Sequence, residues 1–551
     1  MMIKLSGGKV YDPTHGINGE QRNIYIRDGY ITTKPATSVK IDKTYDLCGK
    51  TVMAGAIDIH THIGGGKVNI ARMMLPEDHR EDNTSRTAIT RSGCGHAAPS
   101  TFITGYRYAE MGYTTCFEPA MLPANARQAH MEMADIPIID KGAYALLGND
   151  DFFLRMLAAG KDQSLICDYV SWVINATKAI AVKVVNPGGI NAFKFNQRKL
   201  DLDEFNSHYG VTPRQILIAL ARAVRELGIP HPLHVHGCNL GVPGNLQTTL
   251  DTIKAAEGLP VHLTHIQFHS YGTEGDRKFS SGSAQIAEAV NANPNISIDV
   301  GQVLFGQTVT ASGDTMMQYF GHHHAHPKKW VVMDIECDAG CGVMPFKYRN
   351  KSFVNALQWT IGLELFLQVN DPWRIFLTTD HPNGAPFTSY PHLIRLLMDR
   401  GFRNDMLTSI NKEAAKASIL ESLEREYSLY EIAIMTRAAP ARSLGLKNRG
   451  HLGAGAIADI TVYKDLKDKE AMFAKPVYVF KDGELIVKNG RIVNVINGST
   501  HILKPEYDKS IEKSLKNYFD KYHTIKLDNF KIDDDEIAEH GNGNIVVQSC
   551  M

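Results

Sequence analysis

The stretch MAGAIDIHTH (Met53–His62) joins a short apolar run to a His-x-His pair, and this combination decides the fold. The apolar residues predict a buried strand, and residues two apart on a strand point to the same face. His60 and His62 would therefore leave one side of the strand as two ligands of a metal ion. The pair alone is a weak signal, because the chain has 23 histidines and some fall close together by chance.

Downstream of this stretch, apolar strand-like runs alternate with helical stretches. Examples are the run Ile180–Val185, the amphipathic stretch Pro213–Leu227 and the run Pro232–His236. Such alternation predicts βα units that build a parallel sheet, with the functional residues at the carboxyl ends of its strands. Eight units fit between residues 54 and 440, so we predict an α/β chain with a (β/α)8 TIM barrel over 54–440.

Both ends of the chain have a different sequence pattern, with short strand-like runs separated by turn signals. We therefore predict one composite β-sandwich domain built from residues 1–53 and 441–500. Residues 501–551 are polar and charged around one predicted helix, Lys509–Tyr522. We interpret them as a C-terminal extension or partner-binding tail.

Composition and charge exclude several classes of protein. Apolar residues make up 43% and charged residues 21% of the 551, which is ordinary for a globular chain that can bury a large core. The 59 Lys and Arg equal the 59 Asp and Glu, so overall charge favours neither nucleic acid nor an anionic membrane as partner. The sequence has no apolar stretch of membrane-spanning length and no signal-peptide pattern at its start, so we expect a cytoplasmic protein.

Two other groups of metal-ligand type are discounted. The eight cysteines include no Cys-x-x-Cys pair, and we interpret the nearest approach, Cys337 and Cys341, as reduced loop or core residues. The densest histidine cluster, His322–His326, lies in a polar loop, where adjacent side chains do not converge on one ion as strand-end ligands do. We expect adventitious metal binding there, or none.

Four further residues of metal-ligand type lie in or just after later apolar runs: Lys183, His236, His265 and Asp380. Lys183 stands in the middle of its run, where a charged lysine is costly to bury. It is either a salt-bridged or strand-end lysine, or one desolvated enough to lose its proton and react with carbon dioxide. The resulting carbamate would bridge two metal ions. The order His-x-His, Lys, His, His, Asp along one chain is a specific arrangement.

This order resembles that of the amidohydrolase superfamily, in particular its dihydroorotase and hydantoinase branch. Residues 52–62 are similar to the first-strand signature of that family, and residues 439–460 are similar to its return into the composite sheet domain. The resemblance implies a metal-dependent hydrolase barrel with two Zn²⁺ ions bridged by N6-carboxylysine at Lys183. It implies catalytic roles for Asp380 and Lys183, and the metal ligands His60, His62, Lys183, His236, His265 and Asp380.

A narrower resemblance connects the chain with the A subunits of formylmethanofuran dehydrogenase and of the formyltransferase/hydrolase complex of methylotrophic bacteria. Long segments carry it, among them GGKVNIAR (65–72), VVNPGG (184–189) and TTDHPNGAPF (378–387). It implies hydrolysis of N-formylmethanofuran, or methylofuran, to formate and the free amine in tetrahydromethanopterin-linked one-carbon metabolism (formaldehyde oxidation). It also implies a hetero-oligomer with formyltransferase and other subunits, methanofuran or methylofuran being the one-carbon carrier.

The resemblance leaves one ligand open and suggests three substrate contacts. A cysteine is expected directly after the fifth-strand histidine, whereas Gly237 follows His236 here, so either His234 or His236 is the ligand. By analogy, the residues that contact the substrate are Asn186, Asn239 and His381.

Other functions share these residues. The same protein could work in the condensing direction, as in the dehydrogenase, or the chain could be a dihydroorotase-like or hydantoinase-like amidase that opens cyclic amides. The alternative from another class is a barrel scaffold that has lost catalysis. All six candidate ligands are present, which argues against that alternative.

Overall fold

The computed structural model describes residues 1–197, 199–332, 342–541 and 544–551. Five strands precede the barrel: β1 (Met2–Asp12), β2 (Ile17–Arg27), β3 (Tyr30–Thr32), β4 (Lys43–Asp46) and β5 (Lys50–Ala54). The middle of the chain adds β6 (Ala56–Asp58), β7 (Asn83–Thr84), β8 (Gly93–Cys94), β9 (Tyr113–Met121), β10 (Asp140–Leu147), β11 (Ala181–Val185), β12 (Leu233–His236), β13 (Val261–Leu263), β14 (Tyr271–Gly272), β15 (Ser280–Ser281), β16 (Ile296–Asp299), β17 (Gly306–Ser312), β18 (Val331–Val332), β19 (Gly342–Tyr348) and β20 (Ile375–Phe376). The last strands are β21 (Ile460–Lys464), β22 (Tyr478–Lys481), β23 (Glu484–Lys488), β24 (Arg491–Ile492), β25 (Thr500–Leu503) and β26 (Ile545–Gln548).

The α-helices of the described residues lie between and after these strands. In chain order they are α1 (Gly66–Met74), α2 (Pro76–Glu81), α3 (Thr101–Glu110), α4 (Ala126–Ala134), α5 (Asp151–Ala158), α6 (Gln163–Thr177), α7 (Gly189–Lys194), α8 (Pro213–Glu226), α9 (Leu246–Ala255), α10 (Ser283–Ala292), α11 (Thr315–Gly321), α12 (Phe353–Gln368), α13 (Tyr390–Met398), α14 (Arg400–Ser409), α15 (Lys412–Ala417), α16 (Leu429–Ala433), α17 (Ala439–Ser443), α18 (Lys469–Ala474), α19 (Ile511–Tyr522), α20 (Leu527–Phe530) and α21 (Asp534–Gly541). The predicted helix Pro213–Leu227 is α8, which starts at a reciprocal capping box between Thr212 and Gln215.

Parallel strands form the barrel. They pair in the order β6, β9, β10, β11, β12, β13, β16 and β20, and every pairing in this row is parallel. The two ends of the row meet, because Thr61 after β6 bridges His381 after β20 and the His62 N–H donates to the His381 carbonyl at 2.9 Å. Together with the intervening helices, these described strands form the predicted (β/α)8 barrel.

The stretch that decides the fold contains two strands rather than one. β5 belongs to the composite sheet and β6 to the barrel, and the chain passes from one to the other at Gly55. A Cβ at Gly55 would clash with the side chain of Thr114, so glycine lets the chain pass close to this residue. His60 and His62 follow β6 and lie at the carboxyl end of the barrel.

The composite domain is built from both ends of the chain, as predicted. Its strands lie in the order β24-β23-β22-β21-β5-β1-β2-β3, with β4 on β1, and Ile3, Val52 and Ile460 share one core. The sheet is mostly antiparallel, but β1 runs parallel to both β4 and β5. We propose that the domain boundaries lie where the sequence suggested them, at 1–53 with 441–500, 54–440 and 501–551.

The C-terminal extension packs onto the barrel. β25 pairs with β10, and the predicted helix is α19. Leu515 and Phe519 of α19 are buried in the main core, and the Phe530 ring stacks on Trp172 with ring centroids 5.6 Å apart. These apolar residues follow a helical spacing that the polar composition of the segment concealed.

A buried charge cluster joins the barrel, the composite sheet and the extension. Asp140, the first residue of β10, pairs with Arg449 at 2.6 Å and with Lys481 at 3.2 Å. Lys481 also pairs with Asp459 at 3.3 Å, and His501 of β25 lies 3.4 Å from Asp140. Burial alone would raise the pKa of Asp140, but Arg449 and Lys481 hold it well below its ordinary value. This cluster lies at the amino-terminal end of the barrel strands.

Within the described residues, no helix has both the length and the apolar character needed to cross a membrane.

Candidate metal centre

The carboxyl ends of the barrel strands bring together ligand-type atoms from β6 and β20. His60 Nε2 lies 2.9 Å and His62 Nε2 lies 3.3 Å from the same oxygen, Asp380 Oδ1. All three side chains are buried, and their ligand atoms lie within 4.8 Å of one another. Asp380 has a positive φ of 51°, a strained conformation that aims its carboxylate at the two imidazoles.

Lys183 extends from the middle of β11 toward the same point. Its Nζ lies 3.5 Å from His60 Nε2, and the residue is almost fully buried. Burial lowers the pKa of Lys183 to about 8, because it penalises the ammonium more than the nearby Asp380 favours it. A substantial fraction of this amine is therefore neutral near pH 7 to 8, unlike an ordinary lysine.

His236 and His265 complete the arrangement, His236 as the last residue of β12 and His265 as the second residue after β13. Their ring centroids lie 4.6 Å apart, and the His265 ring lies 5.6 Å from that of His60. His236 Nε2 and His265 Nδ1 are buried and have no hydrogen-bond partner among the described residues. Burial holds the pKa of both imidazoles well below the ordinary value, so both are neutral.

His234 and His236 occupy different depths of the barrel. Both point inward because they are two residues apart on β12, but His236 lines the cavity at the carboxyl end. His234 lies one layer deeper, where its Nε2 is 2.8 Å from the other ring nitrogen of His60, Nδ1. Of the two, His236 faces the point where the other candidate ligands meet.

The donor set fits zinc. Neutral imidazoles and a carboxylate are the ligands that Zn²⁺ accepts most readily in proteins, apart from thiolates. The unpartnered nitrogens of His236 and His265 are buried polar atoms that cost free energy unless they bind something. Two metal positions are therefore compatible with these side chains, one beside His60, His62 and Asp380 and the other beside His236 and His265.

Comparison with known proteins gives the family. The model of the amidohydrolase family (Amidohydro_3) matches residues 43–493. The chain belongs to the amidohydrolase family. This result confirms the resemblance found in the sequence.

Two curated relatives match this amidohydrolase over nearly its full length. The A component of the formyltransferase/hydrolase complex Fhc of Methylorubrum extorquens is 42% identical over 545 residues, 98% of each chain. Protein FwdA of Methanocaldococcus jannaschii is 40% identical over 554 residues, 96% of each chain. Among solved structures, a chain of the crystal structure of the M. extorquens complex FhcABCD with methylofuran superposes with a TM-score of 0.93 at 41% identity, each chain being fully covered.

A cavity of about 540 Å³ leads from the candidate metal centre of this amidohydrolase to the surface. Lys183, His236, His265 and Asp380 lie at its inner end. Its wall is mostly apolar and aromatic, formed by side chains that include Phe268, Phe279, Met344, Phe346 and Tyr348. Part of this wall comes from β17 and β19, a small antiparallel sheet inserted between β16 and β20.

The three residues suggested as substrate contacts do not line this cavity in the described part of the chain. Asn239 donates to Asp201 and to Thr248 in a separate depression. His381 is buried, and its Nδ1 accepts the Phe387 N–H at 3.2 Å. Asn186 is fully buried, and both polar atoms of its side chain lack a hydrogen-bond partner among the described residues. A route from these side chains to a substrate therefore needs a rearrangement.

Sequence analysis did not identify two carboxylates that contact the candidate ligands. Glu118 of β9 lies 2.9 Å from His62 Nδ1 through Oε1, and its other oxygen accepts the Ile63 N–H at 2.8 Å. Asp299 of β16 accepts the His265 N–H at 2.8 Å and lies 3.4 Å from His60 Nδ1. Burial would raise the pKa of Glu118, but His62 lowers it below its ordinary value. The available signal was a charged residue inside an otherwise buried strand.

The two discounted groups stay apart from the candidate centre. His322–His324 form a short 3-10 helix, and the exposed His324 lines the outer part of the cavity. They do not form one of the clusters of potential metal ligands found among the described residues. Cys337 and Cys341 lie outside the described residues.

Proposed function

We propose that this amidohydrolase is the hydrolase of a formyltransferase/hydrolase complex and cleaves N-formylmethanofuran, or N-formylmethylofuran, to formate and the free amine. The supporting observation is the 42% identity over 98% of the chain to the A component of such a complex. All six residues suggested as metal ligands also converge at one end of the barrel. The pathway would be tetrahydromethanopterin-linked oxidation of formaldehyde.

We propose that two zinc ions bind at this centre. His60, His62 and Asp380 would hold one ion and His236 and His265 the other, with Lys183, carboxylated by carbon dioxide, bridging them. The lowered pKa of Lys183 supports this role, because only a neutral amine reacts with carbon dioxide. When bound, zinc polarises an amide carbonyl and acidifies water enough to make it a nucleophile at neutral pH.

Side chains of the protein would then transfer the proton. His60 holds the pKa of Asp380 well below its ordinary value, against the effect of burial, so its carboxylate is ionised and can accept a proton from the attacking water. The same carboxyl group would pass that proton to the departing amine nitrogen as the C–N bond breaks. Water adds to the formyl carbon, and the products are formate and methanofuran or methylofuran. The reverse condensation would use the same groups.

The cavity supports a substrate with a small reacting group on an apolar, flat carrier. The aromatic side chains of Phe268, Phe279 and Phe346 line the cavity that leads from the candidate metal centre to the surface, and a flat apolar carrier would pack against them. We propose further that the chain works in a hetero-oligomer with formyltransferase and other subunits. The support is the TM-score of 0.93 to a chain of the FhcABCD complex.

The test is direct assay of the full chain, purified with any subunits that accompany it. Formate release from an N-formylated furfurylamine carrier, together with at least one zinc ion per chain by elemental analysis, would support the proposal. Ring opening of dihydroorotate or hydantoin without formate release would instead identify a cyclic amidase. A chain that contains less than one zinc, or that has neither activity, would contradict the proposal and favour a scaffold.

A further inference from the structure

A column of hydrogen-bonded imidazoles runs from the candidate metal centre down the inside of the barrel. His60 Nδ1 lies 2.8 Å from His234 Nε2, and His234 Nδ1 lies 2.9 Å from His231 Nε2. His231 Nδ1 then lies 2.9 Å from Ser443 Oγ, on the last residue of α17. The three histidines are completely buried, whereas Ser443 is partly exposed. The column therefore connects the candidate metal centre with Ser443, a partly exposed residue at the other end of the column.

Hydrogen-bond rules make the protons of this column point in one common direction. A neutral imidazole has one N–H and one acceptor nitrogen, so each of these short N···N contacts takes one donor and one acceptor. If His60 donates from Nδ1, then His234 must donate to His231 and His231 to Ser443. If Ser443 donates instead, every imidazole reverses and His60 bears its proton on Nε2. Burial keeps His231 neutral by holding its pKa well below the ordinary value.

The two directions differ in what they leave at the candidate metal centre. With the proton on Nδ1, the Nε2 lone pair of His60 faces Asp380 and Lys183 and is free for a metal ion. With the proton on Nε2, the N–H faces Asp380 Oδ1, 2.9 Å away, and that lone pair is no longer available. A metal ion at this position can bind only when the whole column points away from it.

We propose that His234, His231 and Ser443 hold His60 in the tautomer that binds metal, and so set how tightly the first metal position is occupied. This inference rests on the proposed function, because it assumes that His60 is a metal ligand. Two other groups approach the same nitrogen: Thr264 Oγ1 lies 2.6 Å and Asp299 Oδ2 lies 3.4 Å from His60 Nδ1. His231 separates their effect from that of the column, because among the described residues its ring nitrogens form hydrogen bonds with His234 and Ser443 and neither contacts Thr264 or Asp299.

The experiment compares His231→Phe, which keeps a planar ring but removes both nitrogens, with His231→Gln, whose amide oxygen can accept from His234. Zinc binding to the full chain is measured by elemental analysis across a series of zinc buffers. The visible spectrum of the cobalt-substituted protein reports the ligands at the metal. We expect His231→Phe to weaken zinc binding by about 10- to 100-fold and to change the cobalt spectrum, the usual effect of losing a group that orients a ligand. His231→Gln should restore most of both.

His130→Phe is the matched control. His130 is also a buried histidine, but its Nε2 lies 2.9 Å from the Thr177 carbonyl, on α4 outside the barrel interior. Its substitution should leave zinc affinity and the cobalt spectrum unchanged. The melting temperature of each chelator-treated protein shows whether the variants fold.

Each outcome decides the proposal. Zinc binding by folded His231→Phe that equals the wild type would overturn the column and leave Thr264 and Asp299 as the groups that hold His60. If His231→Phe does not fold, Ser443→Ala decides, because it removes the last hydrogen-bond partner at a partly exposed position. A smaller loss of zinc affinity in the same direction supports the proposal, and no change overturns it. Failure of the wild type to bind zinc would contradict the proposed function instead.

Discussion

The two ends of the barrel both bury polar groups, but they do so in opposite ways. At the carboxyl end, His236 Nε2 and His265 Nδ1 are buried without a hydrogen-bond partner among the described residues. At the amino-terminal end, Asp140 is equally buried but pairs with Arg449 and Lys481. One end has candidate ligand atoms without a partner among the described residues, and the other uses charge pairs to join three segments of the chain.

This difference separates function from stability within one fold. Unpartnered buried nitrogens cost stability, and a site retains them because a ligand takes them up. Paired buried charges bind nothing, but removing one partner leaves the other uncompensated and is strongly destabilising. Substitutions at the carboxyl end should therefore change activity and metal content, and substitutions at the amino-terminal end should change the free energy of unfolding.

The largest expected effect is that of Asp380→Asn at the carboxyl end. The amide cannot accept a proton, so we expect kcat for formate release to fall by about 10²- to 10⁴-fold, the usual contribution of a general acid–base group. Formate release is measured together with zinc content and melting temperature. Asp465→Asn, at a carboxylate paired with Lys9 on the composite sheet, is the control and should behave as the wild type. Full activity of Asp380→Asn would remove Asp380 from the mechanism.

Arg449→Met tests the other end. Arg449 is 5% exposed and pairs with Asp140 and Asp459, so its loss removes one of the two cations, Arg449 and Lys481, that pair with both buried carboxylates. We expect the free energy of unfolding to fall by about 3 to 5 kcal/mol in denaturant titrations. The zinc content and kcat of the folded fraction should not change.

Arg22→Met is the comparison for that measurement. Arg22 pairs with Glu20 on the surface, where both side chains are about half exposed, so its loss should cost less than about 1 kcal/mol. If Arg449→Met and Arg22→Met lower the free energy of unfolding equally, burial of the charge cluster does not increase its contribution to stability.

Glu118→Gln should have an intermediate effect. The amide keeps the shape of the side chain but loses the charge that orients His62, so we expect zinc affinity to fall by about 10- to 100-fold. Competition with a chelator measures this affinity. Glu364→Gln is the matched control, because Glu364 is also fully buried but accepts hydrogen bonds from Ser281 and Ser283 away from the centre. Unaltered zinc affinity in Glu118→Gln would mean that His62 is positioned without the carboxylate.

The smallest expected effect is a change in how steeply stability falls with decreasing pH. The pKa of Asp140 is below its ordinary value in the folded chain, so its stabilising contribution is complete above the unfolded value, about pH 4, and is lost as pH falls through the folded pKa. Asp140→Asn should therefore be less stable near neutral pH but lose stability less steeply below about pH 4. Melting temperatures from pH 7 to pH 3 measure both slopes. If the melting temperatures of the wild type and of Asp140→Asn fall in parallel from pH 7 to pH 3, the lowered pKa of Asp140 is contradicted.

Much of the candidate centre could be predicted from sequence because parallel barrel strands all end at one face. Residues far apart in the chain, such as His60 and Asp380, meet there if each follows an apolar run. The composite sheet was predictable because both ends of the chain show the same pattern of short strand-like runs separated by turn signals. Its strand order and the parallel pairing of β1 with β5 were not, because pairing partners depend on tertiary contacts.

What the sequence left open and what it missed have a common origin. Choosing between His234 and His236 needs the depth at which β12 ends, and periodicity gives only their shared direction. Asn239 follows the same strand, but the chain has already turned away, so its side chain leaves the cavity. Glu118 and Asp299 act on neighbours across the barrel, which no local pattern reveals.

The passage from β5 to β6 at Gly55 also has a consequence for synthesis. Residues 50–54 pair on one side with β1, made earlier, and on the other side with residues 460–464, made about 400 residues later. At about 5 to 20 residues per second, a ribosome needs about 20 to 80 seconds to cover that interval. During this time the edge of β5 that later pairs with β21 has no partner, and an exposed strand edge of this kind can pair with other chains.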